Sequence, residues 1–314
     1  MRKHCKMDIS VVVPVYGCRA ALSELHRRLV STLESIVDSF EIIFVDDCCP
    51  QNSWEVIKKI CQTDSRVKSL RFSRNFGQAK AITAGLDCCS GEWIVVMDCD
   101  LQDRPEFIKS LYIKAQEGYD VVFARRTDRK DSIITKSLSK VFFKVYDYFA
   151  DEKTDNTICN FSISRRIVIE NYCRMREHGR AYMLFLKWLG FRQTAIDAPA
   201  DKRYEGESSY SLRKKIILAF ECITAQSNKP LKFSAGLGFF ISFVSLLYIV
   251  YLTIRYFVGI EIPEGWTTIV VSIYLVGGLL LFAIGVLGLY IGNIFDEVKN
   301  RPLYVIAEKL NFDK

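Results

Sequence analysis

Apolar residues follow two different rhythms along this chain. Through the first two thirds, short apolar runs such as "DISVVVPVY" (8 to 16) and "EIIFVDD" (41 to 47) alternate with stretches whose apolar positions recur every three or four residues. Near-continuous runs of that kind are strands buried on both faces of a parallel sheet. The wider spacing belongs to helices with one buried face. Leu22, Leu25, Leu29, Leu33 and Ile36 predict a helix over about 20 to 39. Further helices are predicted over about 53 to 61, 79 to 88 and 105 to 116, with strands at 67 to 73, 92 to 98 and 120 to 126. Five strands, each followed by a crossover, imply a doubly wound α/β domain.

The last third has no such alternation. Ser234 to Ile254 is a run of 21 residues without a charge, and Trp266 to Phe295 is a run of 30. Each exceeds the roughly 20 apolar residues needed to cross a bilayer. Lys229 and Lys232 precede the first run, and Lys299, Arg301 and Lys309 follow the second, whereas the turn "GIEIPEG" between them carries two Glu and no cation. The excess of cations on cytoplasmic loops therefore puts both termini in the cytoplasm, at the inner (cell) membrane. The start, "MRKHCKMDISVVVPVYG", has too short an apolar run for a signal peptide. Before the first run, "SLRKKIILAFECITAQS" from Ser211 is expected to lie as an amphipathic helix on the membrane surface. The expected division is a cytosolic domain over 1–210, an interfacial segment over 211–232, a two-helix hairpin over 233–296 and a cytosolic tail over 297–314.

Ligands of doubly wound sheets bind beyond the carboxyl ends of the strands. The polar groups Tyr16, Asp46, Asp47, Arg74, Asn75, Asp98, Asp100, Arg125 and Arg126 all fall at such ends. In "EWIVVMDCDLQDRPEF" an apolar run delivers Asp98, Asp100 and Asp103 to one edge. Carboxylate oxygens suit Mg²⁺ or Mn²⁺, which takes one or two carboxylates plus phosphate oxygens. Such a cation assists the departure of a diphosphate. "PVYGCRAAL" matches neither a dinucleotide fingerprint nor a P-loop, which argues against hydride transfer and P-loop phosphotransfer. Tyr16 can stack on a base and Asp46 can accept from a base N–H.

Charge and cysteines add limits. With 43 Lys and Arg against 36 Asp and Glu, the net charge of +7 is mild and spread in short clusters. Beside two membrane runs it fits anionic lipid head groups, not nucleic acid. The 11 cysteines include no CxxC spacing, and in a reducing compartment they are expected to be free thiols packed as small apolar residues.

"SVVVPVYG", "EIIFVDD", "RFSRNFGQAKAITAGLDCCSGEWIVVMDCDLQDRPE", "RYEGESSYS" and "KPLKFSAGLG" together resemble the polyisoprenyl-phosphate glycosyltransferases, an inverting class, over nearly the whole chain. The resemblance implies a GT-A-type nucleotide-sugar domain, a divalent metal, and transfer of one sugar from a nucleotide donor, UDP-linked by resemblance, to a lipid phosphate such as undecaprenyl phosphate. It assigns Pro14, Tyr16 and Asp46 to the nucleoside, Asp98, Asp100 and Gln102 to metal and diphosphate, and Arg126 and Arg203 to phosphates. It also implies a homo-oligomer, a tetramer in bacterial relatives. Lys80 and Arg74 are weaker phosphate candidates. This chain departs from the family pattern at Cys18, Asn160, Ser162 and Ser209, the last removing a phosphate-binding lysine that Lys214 or Lys215 would have to replace. A polysaccharide acceptor would call for a Q-x-x-R-W segment and more spans, which the sequence lacks. The remaining alternative is a membrane scaffold that kept the fold.

Overall fold

A computed structural model describes residues 7–126, 158–199, 227–258 and 265–312. Two compact units are distinct: the described parts of Met1–Ser139, Thr154–Ser211 and Pro302–Lys314 form the first, and the described parts of Leu212–Arg301 the second.

The first unit is a sheet covered by helices. Its elements are β1 (Met7–Val15), α1 (Leu22–Glu34), β2 (Phe40–Asp46), α2 (Ser53–Thr63), β3 (Val67–Phe72), α3 (Gln78–Cys88), β4 (Gly91–Val96), α4 (Ile108–Gln116) and β5 (Val121–Arg126). After these come β6 (Ile158–Arg165), α5 (Arg166–Arg174), α6 (Tyr182–Trp188), β7 (Gln193–Ala198) and, after the second unit, β8 (Ile306–Leu310). Strand order is β7-β5-β6-β4-β1-β2-β3-β8. Mostly apolar runs make the central strands: all seven residues of β2 are buried, Glu41 and Asp46 among them, as are Ile9 to Val15 of β1, where Ser10 is the polar member. One layer of core packs β1 and β2 against Leu22, Leu25, Leu29 and Leu33 of α1, and Trp54 and Ile57 of α2. The other packs the opposite sheet face against Ala81, Ile82 and Leu86 of α3, with Tyr172 and Tyr182. At Gly85 of α3 an added Cβ would lie 2.3 Å from the Val12 side chain, so only glycine lets this helix settle on β1.

Two features depart from the doubly wound expectation. Strand β6 runs antiparallel and inserts between β4 and β5, so the fifth strand is not adjacent to the fourth. Residues 302–312, set aside as a tail by the hydrophobic pattern, return to the sheet, and β8 pairs antiparallel with β3. Arg71 bonds Glu308 at 2.8 Å, Tyr304 stacks on Phe72, and the Tyr304 hydroxyl donates to Asp87 at 2.6 Å. Asn311 donates to the carbonyls of Cys61 and Val67, both at 2.8 Å. An edge otherwise open to pairing is thus covered by the chain's own end.

The second unit contains α7 (Lys229–Phe257) and α8 (Trp266–Val298), two helices long and apolar enough to cross a membrane. Their large apolar side chains are exposed, Phe239 at 77% and Leu281 at 71%. The interfacial segment from Ser211, with Lys214 and Lys215, lies outside the described residues.

Candidate functional site

The carboxyl ends of β1, β2, β4 and β5 meet at one edge, because β1 sits between β2 and β4 in parallel register, with Val15 opposite Asp46 and Val12 opposite Val96. Beyond β4 the chain turns sharply. Leu101 takes φ 59, a left-handed conformation that costs a leucine about 1–2 kcal/mol, while its side chain is buried in the core. That anchored turn carries Asp98, Asp100, Gln102 and Asp103 at the carboxyl edge of β4. Gln78, at the start of α3, donates to Asp98 at 2.7 Å. The Gln102 amide donates to Asp100 at 3.2 Å.

Arg126 ends β5 and reaches across this turn. Its Nε and Nη2 both donate to Asp103 Oδ1, at 3.2 and 2.7 Å, and its Nη1 donates to Gln102 Oε1 at 3.4 Å. Asp103 is buried at 4% exposure, and its second oxygen, Oδ2, has no protein partner among the described residues. Burial pushes the Asp103 carboxyl up against the opposing pull of Arg126. Asp98 is pushed up to about 7 by burial, then by the Asp103 and Asp100 carboxylates. Burial works against the Arg126 charge, and Asp103 with its neighbours more than offsets it. The Asp103, Asp100 and Asp98 carboxylates act on one another here with Asp103 bonded to Arg126, a local excess of negative charge that an added cation would relieve.

The donor set fits such a cation. Among the described residues no three His, Cys, Asp or Glu side chains converge on one point. Two carboxylates and an amide oxygen are nevertheless what Mg²⁺ or Mn²⁺ requires when substrate phosphates complete its shell. Asp98, Asp100 and Gln102 are the residues that would hold it.

The nucleoside candidates are spread over different depths. Tyr16 is 47% exposed just past β1. Pro14 is buried inside β1, opposite Val45. Asp46 is also buried; it accepts from the Cys49 amide at 3.2 Å and lies 3.7 Å from Arg71. Burial raises its pKa. Its neighbour Asp47 builds the edge through contacts that spacing along the chain does not reveal. Its two oxygens accept from the amides of Phe76 (2.6 Å) and Gly77 (2.9 Å), and Gly77 takes φ 98, which favours glycine. This clamp fixes the turn that launches α3, and with it Gln78. Arg74 lies over the Phe76 ring at 4.3 Å, and Lys80 acts on Asp47 electrostatically.

Asn160 lies on β6 two residues before Ser162, whose partner is Val96, so the register carries it to the level of Asp98. Ser162 is buried and shares a 3.1 Å hydrogen bond with the Tyr182 hydroxyl. Arg203 and Ser209 lie outside the described residues.

One cysteine expectation is corrected. Cys18 and Cys99 form a disulfide, Cα to Cα 6.2 Å. Their separation of 81 residues hid the pair, which the parallel pairing of β1 and β4 brings together.

The model of "Glycosyl transferase family 2" matches residues 10–173. The chain belongs to that family. It is 36% identical to an uncharacterized glycosyltransferase of Bacillus subtilis (strain 168), covering 100% of this chain and 97% of the relative. It is 34% identical to the SfII prophage-derived bactoprenol glucosyl transferase of Shigella flexneri, covering 96% and 98%. Among solved structures it resembles mannosyl-3-phosphoglycerate synthase from Rubrobacter xylanophilus, with a TM-score of 0.52 and 14% identity over 69% of this chain and 72% of that one. A glucosyl-3-phosphoglycerate synthase from Mycobacterium tuberculosis, solved with Mn²⁺, UDP and phosphoglyceric acid, gives a TM-score of 0.50 and 16% identity over 69% and 76%. These similarities fix the fold as a GT-A-like sheet and the chain as a glycosyltransferase.

Proposed function

We propose that this glycosyltransferase moves one sugar from a UDP-linked donor to a membrane polyprenyl phosphate, with inversion, using Mg²⁺ or Mn²⁺. The observation that carries the reading is the joining, in one chain, of the carboxylate turn of Asp98, Asp100 and Gln102 to two helices of membrane-crossing length. The bactoprenol glucosyl transferases to which it is similar support the lipid acceptor.

A divalent cation held by the turn would supply Lewis-acid assistance to the departing diphosphate. The remaining work falls to residues of the chain. Gln78 fixes the rotamer of Asp98, and Tyr16 offers a flat surface to the base. Asp103 holds the Arg126 guanidinium on the acidic turn, where a forked cation is placed for phosphate oxygens. An acceptor phosphate is already a nucleophile near neutral pH, so positioning and charge stabilisation suffice without a general base.

Strand β8 supports the orientation. It follows α8 yet pairs with β3, so the chain end and the sheet lie on one side of a bilayer, as two crossings require. The cations flanking the helices support the cytoplasm as that side.

The test is transfer by the detergent-purified chain, with undecaprenyl phosphate and a panel of UDP-, GDP- and dTDP-sugars, with and without Mn²⁺. A metal-dependent glycolipid of inverted anomeric configuration is the expected product. A purified, folded protein that makes no glycolipid from any donor would contradict the reading.

A further inference from the structure

Cys18 lies two residues beyond Tyr16, and Cys99 stands between Asp98 and Asp100. The strands they follow, β1 and β4, are parallel neighbours with Val12 opposite Val96, so both cysteines lie beyond the carboxyl ends of adjacent strands at one edge. Their Cα separation of 6.2 Å lies within the range of unstrained bridges, and both residues are buried, at 5% and 6% exposure. The bridge therefore ties the loop that presents Tyr16 to the turn that presents the carboxylates. Gly17, between Tyr16 and Cys18, has φ 77, and its amide donates to the Cys49 sulfur at 3.2 Å. Besides that weak bond, the disulfide is a strong tether between this loop and the core of the site. Disulfides in reducing compartments are mostly transient and redox-sensing, not structural.

We propose that Cys18 and Cys99 form a reversible thiol–disulfide switch in the donor site, with the bridged form pre-organised for nucleotide. This rests on the donor-site reading above. Closure takes two electrons from the pair. A cysteine thiolate attacks a low-molecular-weight disulfide, forming a mixed disulfide and expelling one thiolate. The second cysteine thiolate then attacks the mixed disulfide, forming the Cys18–Cys99 bond and expelling the other. The small disulfide leaves as two thiols, carrying the two protons lost by the cysteines. A dithiol reverses both steps. In the open form, loop and turn have to be ordered when the donor binds, and affinity falls by that entropy.

The test uses the full chain in detergent, poised at fixed ratios of reduced and oxidised glutathione. Free thiols are trapped by alkylation and linked peptides identified by mass spectrometry. Hydrogen exchange is then read over residues 15–20 and 97–103, and UDP is titrated in the presence of Mn²⁺. Expected is a reversible Cys18–Cys99 link, slower exchange of both segments, and UDP bound about fivefold or more tightly in the bridged form. Cys99→Ser and Cys18→Ser should each lose the dependence on poise. The proposal is overturned if no such link forms at any poise, or if its formation alters neither exchange nor affinity. If UDP binds in neither state, the functional reading falls, and the exchange difference alone upholds or sinks the switch.

Discussion

The two units use their apolar side chains in opposite ways. In the sheet unit Val11, Leu25, Phe44 and Val95 are wholly buried, and polar residues gather where strands end. In the helix pair Phe239, Phe240, Leu281 and Ile291 are exposed at 77, 65, 71 and 62%, and no catalytic constellation is found among its described residues. A soluble core hides its apolar surface from water, so its polar edge is free to become a site. Helices that expose so much apolar surface are long and apolar enough to take lipid as their solvent.

The largest effect is expected at the carboxylates. Asp98→Asn should lower transfer by about a thousandfold while the far-ultraviolet spectrum and Trp54 fluorescence stay native, because the loss lies in charge stabilisation and not in packing. Next, the same deletion should act differently in the two units. Leu25→Ala, which empties a buried site, is expected to cost about 2–5 kcal/mol in denaturant unfolding of the sheet unit. Leu281→Ala should change that transition by under about 0.5 kcal/mol.

Acid sharpens the contrast further. Hydrogen bonds from Arg66, against burial and with help from His26, hold Asp64 at a pKa of about 2. Its folded pKa is below the ordinary carboxylate value, so its contribution is complete above about pH 4 and disappears as pH falls through 2. Between those limits the sheet unit should lose about 1–2 kcal/mol, a slope that Asp64→Asn would flatten in unfolding titrations. The smallest effect is expected at the strap: Tyr304→Phe removes the hydroxyl bond to Asp87 but keeps the stack on Phe72, for about 1 kcal/mol in the same titration.

Much of this was legible in the order of residues, and the reason is local. Strands β1 to β5 announce themselves as apolar runs, and the helices between them by spacing, because each buries its face with residues close in sequence. Strand β6 was invisible: "ICNFSISR" is half polar, and its Ser162 and Ser164 are buried in pairing with β4 and β5. Strand β8, "IAEKL", is too short and charged to be read as sheet without the β3 edge that receives it. The acidic turn was evident from Asp98, Asp100 and Gln102, whereas its scaffolding was not. Asp47 clamping Gly77, Gln78 on Asp98, and Cys18 on Cys99 all join positions 20 to 81 residues apart. Such contacts follow from sheet topology, which spacing along a chain does not encode.

We propose that the turn of Asp98, Asp100 and Gln102 binds a divalent cation and, through it, a nucleotide diphosphate. Calorimetric titration of UDP into the detergent-purified chain, with Mn²⁺ and again after chelation, tests it most directly, with Asp100→Ala alongside. The account predicts binding that weakens at least about tenfold without metal and a variant indifferent to metal. Equal UDP affinity with and without Mn²⁺ in the native chain would contradict it.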